Sequence, residues 1–268
     1  MHLKRWITGL SALPILILLI YLGGVPFILL VGIACVCSLW EYDRIVFNAD
    51  RRMMYNPVTF WAYLISLGIL IAAYVAGPQS VLLFLALNLI FSGVLSVFIY
   101  KTNPAVIEII QKQVMGVVYI PLSLSLLVMI RHLPEGMTWI FFLLAIIFAG
   151  DISAYYVGSY LGRRKLSPAI SPGKTVEGAI GGLAANLLAG AIGKYFFFPD
   201  LAWGPALIFF LAAGMAGQVG DLFESEMKRS SKIKDSGGLL PGHGGFLDRI
   251  DALLFASPVA YLFIVFIF

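Results

Sequence analysis

The sequence predicts an all-α polytopic integral membrane protein of about nine transmembrane helices, with the N-terminus cytoplasmic and the C-terminus external. Three observations carry that prediction. Hydrophobic residues make up 60% of the 268 positions and charged residues only 12%, with a mean hydropathy of +0.95, which leaves too little polar surface to solvate a globule. Apolar runs close to the roughly 20 residues that span a hydrocarbon core recur along the whole chain. The basic residues, finally, collect on alternate connections between those runs.

The elements follow in order. Lys4 and Arg5 precede the run Trp6–Leu22, which resembles a signal peptide but lacks a small-residue cleavage site followed by a soluble chain, and so reads as a retained first helix. Val25–Val46 comes next. Its two cysteines, Cys35 and Cys37, point in different directions on a helix, so neither a disulfide nor a zinc site follows. Val58–Ala76, Val81–Tyr100, Val114–Arg131, Met137–Leu161, Thr175–Tyr195, Pro205–Met227 and Arg249–Phe268 complete the set. Runs of this length satisfy their backbone in lipid only as helices. No internal repeat and no long linker interrupts them, so residues 1–268 read as one membrane domain with polar loops at about 162–175 and 224–248.

Of 18 Lys and Arg residues, this arrangement puts sixteen on one side and leaves only Arg131 and Lys194 on the other. A wrong helix count scrambles such a partition, so the asymmetry supports the count and turns the charged loops to the cytoplasm. The net charge of +4 and pI near 9.0 belong to no soluble basic module, so nucleic acid is not an expected partner.

Charge inside apolar runs is costly and points to function. Asp151 lies part way along the sixth run, and Asp221 in the eighth, with Glu224 and Ser225 following at i+3 and i+4 on one face. Asp248 and Asp251 repeat the i, i+3 spacing at the start of the ninth. For these two a helix cap or a pair with Arg249 is an equal alternative. Hard oxygen donors in such a cluster suit Mg²⁺, which keeps positions for water and phosphate oxygens. Nearby stand Lys228, Arg229, Lys232 and Lys234, then Gly237, Gly238, Gly242, His243, Gly244 and Gly245; glycines let backbone N–H groups approach an anion. A basic run is also an ordinary anchor to anionic headgroups. His243 reads equally as a loop histidine or as a contact to a phosphate or a base. In the other loop Ser167, Pro168, Ser171, Pro172, Lys174, Thr175 and Glu177 lead into the seventh helix, and Lys174 is either an anchor or a phosphate ligand. Gly173 to Thr175 match the end of a P-loop, but the first glycine of that motif is missing at its required spacing.

These residues carry a family resemblance. Ser225-Glu-Met-Lys-Arg229, Lys234-Asp235 and Leu240-Pro-Gly-His-Gly-Gly-Phe-Leu-Asp-Arg-Ile-Asp251 resemble the signature of the phosphatidate cytidylyltransferases (CDP-diacylglycerol synthases) of bacterial type. Gly150-Asp-Ile-Ser-Ala-Tyr155 and Ser171-Pro-Gly-Lys-Thr-Val-Glu-Gly178 are also similar to that family. The signature covers about a tenth of the chain yet fixes many residue types at set spacings. The resemblance implies transfer of CMP from CTP to phosphatidic acid, giving CDP-diacylglycerol and pyrophosphate. It further implies Mg²⁺, with room for a second, monovalent cation, and a multi-pass protein of the bacterial inner membrane whose site faces the cytoplasm. Asp221 and Asp248 are then the expected metal ligands, with Asp251 and Asp151 as weaker candidates. Lys228, Arg229 and His243 are expected at the reacting phosphates. Lys174, Thr175, Ser171, Ser225, Lys234, Gly244, Gly245 and Arg249 are expected around the substrates, CTP and a phosphatidic acid drawn from the bilayer. A homodimer through apolar helix faces is a further expectation, with no face singled out.

Two other classes place charge similarly. A CTP-dependent lipid kinase would move the γ-phosphoryl group to a polyprenol-type alcohol and release CDP. An ion-coupled transporter would bury carboxylates in the membrane, but charge concentrated at one face and the lack of an inverted repeat argue against it. A CDP-alcohol phosphotransferase would need an aspartate-rich helix motif that is missing here.

Overall fold

A computed structural model describes residues 13–233, 236–237 and 244–268, apart from the side chains of residues 51 and 52. Among the described residues eight helices are long and apolar enough to cross a membrane. The first predicted span is helical over Leu13–Leu22 (α1), and its earlier residues lie outside the described part. The chain divides into two compact units, Met1–His132 with Asp235–Asp248, and Leu133–Lys234 with Arg249–Phe268.

In the first unit α4 (Pro57–Val75) packs against α2 (Gly24–Val46), α5 (Pro78–Ile99), α6 (Val106–Val117) and α7 (Ser123–His132). The start of α4 is written locally. Asn56 Oδ1 accepts the amides of Val58 (2.9 Å) and Thr59 (3.1 Å), and Pro57 occupies the first helical position, where its missing N–H costs nothing. A short helix, α3 (Arg51–Met54), precedes it. Phe47, Met54, Val58, Val106 and Ile109 form a buried cluster at this end of the unit.

The predicted fifth span, Val114–Arg131, is longer than the reading gave it. It runs from Val106 to His132 and contains a π-helical turn, Val118–Leu122. Pro121 lies inside that turn; proline lacks the amide of a regular helix and its ring clashes with the preceding turn, and a π-turn is one way to absorb both. Between α5 and α6, Gln113 Nε2 donates to Asn88 Oδ1 (2.8 Å) and Ser92 Oγ to Gln113 Oε1 (3.3 Å). All three residues are buried, and the contact acts as polar glue between helices that gain little from apolar contact in lipid.

In the second unit α8 (Gly136–Leu161) and α9 (Val176–Phe197) run closely together. Small residues allow the approach. A Cβ at Gly150 would collide with Asn186, and one at Gly178 would meet the Ala154 carbonyl at 2.7 Å. α10 (Trp203–Ser230) packs on both helices. An aromatic core of Trp139, Phe142, Phe198, Phe209 and Phe263 fills one end, with Trp139 stacked on Phe198 at 4.1 Å between centroids.

Two boundaries differ from the sequence reading in ways that matter. The 162–175 segment is not a plain loop: β1 (Lys165–Ser167) and β2 (Ser171–Thr175) form an antiparallel hairpin, a small departure from the all-α expectation. The eighth span, expected to end at Met227 where the polar segment begins, continues as α10 to Ser230, so Lys228 and Arg229 also have helical spacing.

Candidate active site

In the second unit the hairpin brings Lys174 to Asp221 of α10. Lys174 Nζ lies 2.6 Å from Asp221 Oδ2, and both side chains keep some exposure, 25% and 39%. The strand carrying Lys174 is braced from several directions. The ladder pairs Lys165 with Thr175 and Ser167 with Ser171. Thr175 then caps α9, its Oγ1 accepting the Gly178 amide at 3.1 Å. Glu177 Oε2 accepts the amides of Arg163 (2.9 Å) and Arg164 (3.1 Å), closing the chain before β1. Arg229 donates through Nε to the Ile170 carbonyl (3.0 Å) and through Nη1 to that of Ile233 (3.1 Å), tying the hairpin tip to the end of α10. Its guanidinium is thus engaged in holding the loop, a use that spacing alone did not suggest.

α11 (Leu247–Phe266) reaches α10 at a glycine. The Asp251 carbonyl lies 2.5 Å from where a Cβ of Gly220 would sit, beside Asp221 in sequence. Asp251 is buried and its Oδ1 accepts the Ala252 amide at 2.7 Å. Asp151, Asp221 and Asp251 lie close enough to act on one another's charge, as Lys174 does on Asp151 and Lys228 on Asp251. One turn along α10, Glu224 is fully buried and ion-paired with Lys228 at i+4, and Ser225 beside it is buried. The second unit therefore gathers Asp151, Asp221, Asp251, Lys174 and Lys228 from four elements.

Asp248 is arranged differently, within the first unit. Its Oδ2 accepts the Gly245 amide (2.9 Å), the Ser236 hydroxyl (2.9 Å) and the Ser236 amide (3.3 Å). Gly244 has φ +81, a conformation that favours glycine. At Gly245 a Cβ would collide with Ser236 Oγ and meet Glu41 Oε2 at 2.5 Å. Turn geometry at Gly244 and close packing at Gly245 each call for a glycine. Arg249 is exposed. His243 and Lys234 lie outside the described residues.

Among the described residues no three His, Cys, Asp or Glu side chains are gathered into a ready metal cage. Mg²⁺ needs only one or two protein carboxylates when phosphates and water supply the rest. A carboxylate set that already draws a lysine ammonium to Asp221 fits such an ion.

The model of the cytidylyltransferase family matches residues 3–267. The chain belongs to that family. Among its relatives, the phosphatidate cytidylyltransferase of Brucella abortus biovar 1 is 35% identical over 263 residues, covering 97% of this chain and 92% of the relative. That of Bacillus subtilis is 32% identical over 265 residues, covering 96% of each, and that of Synechocystis is 44% identical over 136 residues, or 50% of this chain.

One group in this cytidylyltransferase escaped the sequence reading. Glu41, inside α2, is 0% exposed, and its Oε2 accepts the Leu247 amide (2.8 Å) and the Ser236 hydroxyl (3.1 Å). Nearby Asp43, also buried, accepts a hydrogen bond from Tyr63 Oη at 2.9 Å. The signal was present: two acids stand in the apolar run Val25–Val46, where ionisable groups are rare.

Proposed function

We propose that this member of the family transfers CMP from CTP to phosphatidic acid, yielding CDP-diacylglycerol and pyrophosphate, at the cytoplasmic face of a bacterial inner membrane. The observation that carries this is similarity along nearly the whole chain to proteins named phosphatidate cytidylyltransferase. The concentration of basic residues on one set of connections supports the cytoplasmic placement.

The reaction is an in-line displacement. A phosphate oxygen of phosphatidic acid forms a bond to the α-phosphorus of CTP, the bond from that phosphorus to the bridging oxygen of the β-phosphate breaks, and pyrophosphate leaves with the electron pair. The attacking oxygen is already ionised, so no strong base is required. The problem is repulsion between two polyanions, which positioned cations relieve. Lys174, on its braced strand, and Lys228 bind phosphate oxygens in this proposal, joined by His243. Ser171, Thr175, Ser225, Lys234, Gly244, Gly245 and Arg249 line the substrates. Arg229 holds the hairpin and lends its charge to the departing pyrophosphate. Asp221, Asp248 and Asp251 would hold Mg²⁺, with Asp151 beside them; the ion neutralises charge on the nucleotide phosphates when bound. A monovalent cation and a homodimer complete the proposal.

Purified protein given CTP, phosphatidic acid and Mg²⁺ is expected to form CDP-diacylglycerol and equimolar pyrophosphate, and EDTA is expected to stop it. Release of CDP with a phosphorylated lipid alcohol would overturn the assignment in favour of a kinase.

A further inference from the structure

Glu41 presents a physical puzzle. It stands in a membrane-spanning helix with its carboxylate out of contact with solvent, where a charged group is costly unless something compensates it. Among the described residues no Lys or Arg pairs with it. Its partners are neutral and distant in sequence: the Ser236 hydroxyl 195 positions away and the Leu247 amide 206 positions away.

Those partners define what the carboxylate does. Leu247 is the first residue of α11, so its amide is one of the donors that a helix start leaves without an intrahelical acceptor. Glu41 therefore caps α11 from another helix. Ser236 stands between two carboxylates, its Oγ 3.1 Å from Glu41 Oε2 and 2.9 Å from Asp248 Oδ2. The backbone at Gly237 and at Gly245 is pressed onto Glu41. A Cβ at Gly237 would collide with Glu41 Oε1, and one at Gly245 would crowd Oε2 and collide with Ser236 Oγ. Gly245 also donates its amide to Asp248 Oδ2. One buried carboxylate thus contacts both described ends of the stretch between Ser236 and Leu247, and each end in turn fixes the same oxygen of Asp248.

We infer that Glu41 is a positioning residue: it anchors Ser236 and Gly237 on one side and Gly245 and Leu247 on the other from within α2 and, through Ser236 and Gly245, sets the orientation of the Asp248 carboxylate. Its contribution to Mg²⁺ use rests on the reading of Asp248 as a metal ligand. The anchoring itself does not. An outer carboxylate of this kind typically governs metal affinity or activity by a factor of 10 to 100 when its hydrogen-bonded partner is a ligand.

The test compares wild type, Glu41→Ala, Glu41→Gln and, as a control in the same unit, Asn88→Ala, which removes a buried polar contact elsewhere. Amide exchange by mass spectrometry over 236–247 is measured together with the Mg²⁺ concentration for half-maximal activity and the thermal shift produced by Mg²⁺ alone. Glu41→Ala is expected to speed exchange in that segment about tenfold and to raise the Mg²⁺ requirement about tenfold, with KM for phosphatidic acid within about twofold. Glu41→Gln keeps the volume and one acceptor oxygen, so it inserts even where alanine does not, and is expected to show about threefold effects, because an acceptor that has lost its charge binds its donors more weakly. Exchange in 236–247 equal to wild type in both variants would overturn the inference. So would an equal rise in Mg²⁺ requirement with Asn88→Ala, since that would make the effect one of general stability. If wild type forms no CDP-lipid yet Glu41→Ala still loosens 236–247, the reaction assigned above fails and the anchor stands.

Discussion

Asp221 and Asp248 were given the same role by sequence, yet the two units prepare them in opposite ways. Asp221 faces a full positive charge, Lys174 Nζ at 2.6 Å, delivered by a hairpin and partly exposed. Asp248 accepts two backbone amides and the hydroxyl of Ser236, which also reaches a buried glutamate. A carboxylate held by a cation is one from which the cation must move when another arrives. A carboxylate that accepts backbone amides is oriented in advance by donors that stay in place. The comparison teaches that the lysine pair is suited to exchange and the amide contacts to permanence.

The largest effect expected from breaking this contrast is at Asp221. Asp221→Asn should lower kcat by about 100- to 1000-fold, as loss of a main electrostatic group does, while the variant elutes from size exclusion like wild type; near-normal turnover would remove Asp221 from the chemistry. Lys174→Met is next. It should cost about 10- to 100-fold in kcat/KM for CTP, and because a competing ammonium has gone, the Mg²⁺ needed for half-activity should stay level or fall. Ser236→Ala sharpens the contrast by moving the same quantity the other way: about tenfold more Mg²⁺ should be needed, read from an activity titration. A variant far from both regions calibrates the series. Asn56→Ala should lower stability in detergent by about 1 kcal/mol through loss of a helix cap, read as a lower melting temperature, with kcat unchanged.

The membrane fold was legible because hydrocarbon leaves the backbone few options. Length and polarity of the runs located the helices to within a few residues in most cases, Gly24–Val46 against the expected Val25–Val46 for example. Residues 106–113, the start of α6, were missed because Glu108, Gln111, Lys112 and Gln113 dilute the apolar signal. The hairpin was missed for a related reason: strands of three and five residues are too short to show a period.

The site divides along the same line. Asp151 and Asp221 stood out as acids among apolar neighbours, and the structure gathers them with Asp251 in one unit. No cation lies within one helical turn of Asp221 in the sequence, which says nothing about neighbours from other elements: Lys174 arrives from a strand. Glu41 and Asp43 break the same rule as Asp151 but stand near the end of their run, and were passed over. Burial and partners nearly 200 positions away, as in the contact from Ser236 to Glu41, are properties of the fold alone.

The most direct test of the proposed reaction uses CTP labelled separately at the α- and γ-phosphorus, given to purified protein with phosphatidic acid and Mg²⁺. The account predicts that only the α label enters the lipid fraction and that the γ label leaves as pyrophosphate. Label from the γ position in the lipid, or none from either, would contradict it.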